Sequence, residues 1–152
     1  MRRAVLAFLF LALAAGPVLA QQPAPIPYAW LFGAWTGGMF PPPSSLSAEA
    51  CIAQPVVMFT RDVVLRGQIA DSRYVQRVID TARAVPGGVE FRFQPQPQPL
   101  GAGILGLPNE VAPQGFGCAH PDWLGVKRIS DTLIEFPGCA DFPFPLRRCP
   151  PR

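Results

Sequence analysis

Residues 71–93 read Asp-Ser-Arg-Tyr-Val-Gln-Arg-Val-Ile-Asp-Thr-Ala-Arg-Ala-Val-Pro-Gly-Gly-Val-Glu-Phe-Arg-Phe, and their periodicity decides the fold class. The end of the stretch is the clearest part. Val89-Glu90-Phe91-Arg92-Phe93 alternates strictly, with Phe91 and Phe93 on one face and Glu90 and Arg92 on the other, as in a half-buried strand. The beginning admits two readings. Tyr74, Val75, Val78, Ile79 and Ala82 recur at helical spacing, and Asp71 or Ser72 would cap such a helix. Against this, Val75, Val78, Ile79, Thr81 and Val85 are β-branched, and turn residues bracket the stretch at Asp71-Ser72 and Pro86-Gly87-Gly88. A hairpin turning at Pro86–Gly88 gives Val89–Phe93 a partner, so a strand is expected, with a helix at about 71–85 as the alternative.

Outward from this pair, Val56–Thr60 and Val63–Arg66 are short β-branched runs, with Arg61-Asp62 as a turn or bulge. Trp123–Ile129 and Thr132–Phe136 outline a hairpin turning near Ser130-Asp131. Leu46–Ala53 reads as a short helical turn capped by Ser45 or Ser47. Phe142–Leu146 is not a regular central strand, because Pro143 and Pro145 lack ladder donors. Residues 94–114 carry Gln-Pro-Gln-Pro-Gln-Pro and then Gly101, Gly103 and Gly106, a long irregular connection of the functional or disordered kind. Short strands punctuated by Gly and Pro predict a mainly β fold, a small antiparallel meander closed as a barrel. A β-sandwich, or an α+β fold with the one helix at about 71–85, is the alternative.

The N-terminus adds a targeting signal. Met1-Arg2-Arg3 is basic, Ala4–Ala15 is apolar, Gly16-Pro17 breaks the run, and Val18-Leu19-Ala20 offers a cleavage site. The apolar run is too short to span a bilayer, which takes about 20 residues. The expected organisation is a signal peptide at 1–20, an extended proline-spaced leader at 21–28, and a single β domain at 29–152 with its long loop at 94–114. Periplasmic or secreted localisation follows, with no membrane span after cleavage. Of the 13 Lys and Arg residues, Arg2 and Arg3 leave with the signal, so 11 face 10 acidic residues. Such a near-neutral domain excludes nucleic acid as a partner, since phosphate neutralisation needs clustered cations.

All four cysteines, Cys51, Cys118, Cys139 and Cys149, lie in the mature part. An even number in an exported chain reads as two disulfides, and the wide unpaired gaps argue against a four-thiolate zinc site. Three connectivities are open. The preferred one joins Cys139–Cys149 across the local Pro-rich loop and Cys51–Cys118 across distant segments.

Catalytic motifs are absent from the sequence. The lone His120 sits in Cys-Ala-His-Pro-Asp, and none of the serines stands in a Gly-x-Ser-x-Gly turn. Glu90, Asp122, Asp131, Glu135 and Asp141 supply carboxylates, but their spacing selects no pair for glycoside chemistry. No phosphate-cradling or dinucleotide loop is present. The expectation is a protein that is not an enzyme and takes no cofactor and no metal.

Gly33-Ala34-Trp35-Thr36-Gly37-Gly38 resembles the Gly-x-Trp that opens the first strand of lipocalins and other calycin barrels, and the Gly-x-Trp-x-Gly of nitrobindin-like barrels. The resemblance implies that Trp35 closes one barrel end against a basic side chain from a late strand. Arg128, Arg147 and Arg148 are available for that contact, Arg128 foremost. The functional expectation is an exported, non-catalytic barrel binding a small apolar ligand, lined or plugged by Trp35, Phe59, Phe91 and Phe93. The competing class is a disulfide-stapled envelope interaction module or inhibitor, using 94–114 as its contact surface. An open apolar interior favours the carrier, and a filled core with a protruding ordered loop favours the module; a polar cleft gathering His120 with Asp or Glu favours an enzyme.

Overall fold

The computed structural model describes residues 25–52, 56–67, 74–96 and 115–151. The signal segment 1–20 and positions 97–114 of the long loop lie outside the described residues.

The fold is a closed, eight-stranded antiparallel barrel in simple meander order. Its strands are β1 (Gly33–Gly37), β2 (Val56–Phe59), β3 (Val63–Gly67), β4 (Tyr74–Val85), β5 (Gly88–Phe93), β6 (Trp123–Arg128), β7 (Leu133–Glu135) and β8 (Leu146–Arg148). Closure comes from β1 pairing with β8, Trp35 opposite Arg148 and Gly37 opposite Leu146. One short helix, α1 (Ala48–Ile52), stands among the described residues, with the Ala50 N–H donating to Ser47 Oγ at 3.1 Å. A 3-10 turn, Ala29–Leu31, precedes β1. The sandwich and α+β alternatives are not realised.

β4 is the strand whose sequence looked helical, and the reason is visible. It pairs β3 through Tyr74–Val78 and β5 through Ile79–Val85, with a register shift between Ile79 and Thr81. One extra residue, Asp80, interrupts the period-2 alternation and brings Val78 and Ile79 together in the pattern. Arg77, fully buried, also occupies what would otherwise be an apolar position. β5 shows the alternation undisturbed: Val89, Phe91 and Phe93 are buried while Arg92 is exposed. The chain at 142–145 stays outside the ladder, and β8 begins only after Pro145.

The disulfides correct the preferred connectivity. Cys51 pairs with Cys149, and Cys118 with Cys139. Barrel closure explains both. β8 runs beside β1, so the Cys149 N–H donates to Ala34 O at 2.9 Å, and the helix that follows β1 brings Cys51 to the same place. The loops before β6 and before β8 leave the same barrel end and meet where Ala140 N–H donates to Gly117 O at 2.8 Å. Spacing along the chain reports neither proximity.

Candidate functional site

Among the described residues, aromatic side chains pack through the barrel interior. Phe91 stacks on Phe93 with centroids 6.2 Å apart, Phe93 on Phe116 at 5.7 Å, and Phe116 meets Phe136 and Phe142 at 5.9 and 6.0 Å. In the other direction Phe91 touches Phe59 at 5.8 Å and Tyr28 at 5.0 Å. This column of rings runs from one barrel end to the other, with Val57, Val64, Val89, Leu124, Val126, Ile134 and Leu146 buried around it. Eight strands enclose a space that side chains can fill, and here aromatic rings do so. Three of the expected ligand-lining residues, Phe59, Phe91 and Phe93, are members of that column, and Trp35 is buried at 0 % exposure beside it.

Both ends are capped by arginine. At the end of tight turns, Arg148 lies over the Trp35 ring at 4.5 Å and donates to the carbonyls of Phe32 and Trp30. Trp35 Nε1–H itself donates to Leu31 O at 2.8 Å. Arg128, expected against Trp35, instead covers Trp30 at 4.9 Å and pairs with Asp131 at 2.6 Å. The register decides this: Arg148 is the β8 residue opposite Trp35, whereas Arg128 lies on β6, two strands further round the barrel.

At the loop-bearing end, Arg66 lies over Phe142 at 5.1 Å, pairs with Asp141 at 2.8 Å and donates to Gly115 O. Arg77 lies over Phe93 at 5.0 Å, reaches Asp122 Oδ1 at 2.5 Å and donates to Pro121 O at 2.8 Å. Two buried or half-buried guanidiniums thus hold down the loops at 115–122 and 137–145, which the Cys118–Cys139 bridge also ties together. The other candidate carboxylates are paired too: Glu90 with Arg83 at 2.5 Å and Glu135 with Lys127 at 2.6 Å.

Outside the wall, where β4, β5 and β6 approach that pinned loop, lies a cleft of about 710 Å³. This is within the size range of small-ligand sites. Its lining is Asp80, Arg92, Phe93, Pro95, Ala119, His120, Pro121, Asp122 and Trp123. Each is placed by the fold. Asp80 stands at the β4 register shift, Arg92 is opposite Trp123 across the β5–β6 ladder, and His120 lies two residues beyond the bridged Cys118. The cleft gathers His120 with two carboxylates, but Asp122 is engaged by Arg77. Sequence reasoning puts Arg92 on the outer face of a strand and Trp123 at the start of the late hairpin, and gives neither of them, nor Asp80, a site role. The one local signal was Trp123-x-Gly125, a large ring and a glycine on the same face of a strand. No protein-family model matches the chain, and no curated protein and no solved structure matches it either.

Proposed function

We propose that this chain is an exported, non-catalytic binding module of calycin type, in which the filled barrel is the scaffold and the outer cleft is the binding face. The observation that carries the reading is the continuous ring column, capped by arginine at both ends, which occupies the space that a carrier gives to its cargo. Binding therefore falls to the outside. Two disulfides in one small domain support an oxidising compartment, periplasmic or secreted. The calycin-type relation is supported by the eight-strand meander and by Trp35 of the first strand under Arg148 of the last. The non-catalytic reading is supported by the cleft lining. Of the two carboxylates among its described lining residues, Asp122 is tied to Arg77, and those described residues carry no hydroxyl or thiol nucleophile for His120 to activate.

The test is an NMR titration of the isotopically labelled protein with fractionated envelope and secreted extract of an exporting host. Amide shifts concentrated at Asp80, Arg92 and 119–123 are expected. Shifts concentrated at the inward Phe59 and Phe91, produced by a lipid fraction, would return the carrier reading and overturn this one.

A further inference from the structure

We propose that the cleft takes a neutral sugar ring, stacked on the indole of Trp123. The inference rests on the binding-module reading above and gives its ligand a chemical class. Three features of the cleft carry it.

The first is the pose of the indole. Trp123 and Gly125 sit on the same outer face of β6, and a Cβ at Gly125 would lie 2.8 Å from the ring's Cη2 and 3.3 Å from Cζ2. The far edge of the ring therefore packs against the backbone of Gly125, where a β-carbon would crowd it. Trp123 is half-buried and its side chain lines the cleft. An aromatic face is electron-rich and attracts the weakly positive C–H groups of a ring laid on it.

The second is the polar rim. Arg92, the ladder partner of Trp123, brings only donors; Asp80, held outward at the β4 register shift, brings only acceptors; His120 brings both. A ligand that satisfies all three needs donors and acceptors around its edge together with a flat C–H face. A pyranose has that combination.

The third is charge. Asp80 and Arg92 line the cleft from adjacent strands with opposite charges, and the charge of Asp122 is neutralised by Arg77 at 2.5 Å. An anionic or cationic ligand would meet one like charge in the cleft, whereas a neutral polyol uses both ions as hydrogen-bond partners.

The experiment follows the indole Nε1–H signals of Trp30, Trp35 and Trp123 while maltotriose, cellotriose, chitotriose and mannotriose are each added to roughly 10 mM, a range that captures weak binding. The expected result is that at least one trisaccharide moves the Trp123 indole and the Arg92 and Gly125 amides, leaving the indoles of Trp30 and Trp35 in place. Trp123→Ala should weaken that binding roughly tenfold or more, the loss of one ring-stacking contact. Gly125→Ala is the second variant: it keeps the indole and tips it off the wall, and should weaken binding several-fold without unfolding the barrel. Comparing the effective trisaccharide with its parent polysaccharide tells a free sugar from a polymer end.

If none of the four moves the Trp123 indole, or if binding is undiminished in both variants, the proposal is overturned. Cleft shifts with extract but none with sugars would remove the ligand class and leave the binding module standing. Interior shifts with a lipid fraction would remove both.

Discussion

The two barrel ends use the same device for different purposes. Each lays a guanidinium over an aromatic ring, yet the partners differ. At the tight-turn end, Arg148 and Trp35 face each other on adjacent strands, and both bond to carbonyls of the 3-10 turn and the residue after it. That end is closed by its own backbone. At the loop-bearing end, Arg66 and Arg77 reach carboxylates and carbonyls on two separate loops, and a disulfide ties those loops together. One end seals the barrel, and the other fixes a surface. The cleft belongs to the second, which is why its geometry depends on side-chain anchors more than on ladder bonds.

The largest effect should separate the ends most clearly. Trp35→Ala removes a fully buried ring and is expected to cost about 3–5 kcal/mol, lowering the denaturant midpoint of the whole domain. An unchanged midpoint would mean that the tight end is not held as described. The double change Cys118→Ser with Cys139→Ser opens a loop of sequence separation 21, worth about 3 kcal/mol in the chain-entropy model. Hydrogen exchange should then rise across 115–122 and 137–145 while β1 and β2 stay protected. Uniform loss of protection would abolish the distinction between the ends.

Arg77→Met tests the anchor beneath the cleft. The guanidinium is buried but its partner Asp122 is 45 % exposed, so the loss falls below that of a fully buried pair, about 2 kcal/mol. Its sharper signature should be faster exchange in 119–123. The smallest effect concerns Tyr28 at the tight end, whose hydroxyl donates to Arg61 O. Burial pushes its phenol above the ordinary value near 10; the Asp62 carboxylate adds to the rise and Arg61 opposes it. A folded-state value raised above the unfolded one gives stability that is complete below about pH 10 and lost as pH climbs through the folded value. Tyr28→Phe should remove that alkaline dependence and cost about 1 kcal/mol at neutral pH, read from denaturant midpoints across the alkaline range.

What could be read in the sequence was what each segment carries locally. β5 and the β6–β7 hairpin announce themselves because alternation and turn residues sit within a few positions of each other. β4 was ambiguous because its inward Arg77 and the extra residue at Asp80 break the pattern that marks a strand. β8 was unreadable: three residues after two prolines become a strand only because β1 and β7 flank them. The disulfide pairing failed for the same reason, since it depends on closure and not on spacing. The cleft was the least legible feature. Asp80, Arg92 and Trp123 come from three strands and His120 from a loop, so no window of sequence holds them together, and the Trp123-x-Gly125 pair looks like any strand with a glycine. The Gly-x-Trp stretch, by contrast, is local: Trp35 stands in β1 under Arg148, one of the three arginines offered for that contact.

With the protein's own rings packed through the interior, the proposed binding takes place outside. Native mass spectrometry of the protein recovered from an exporting host, without refolding, tests it most directly. The expected result is a mass with four thiol hydrogens missing and no apolar molecule released on denaturation. A reproducible one-to-one lipid-like adduct, released only when the fold is lost, would overturn it, because the ring column stands where such a molecule would lie.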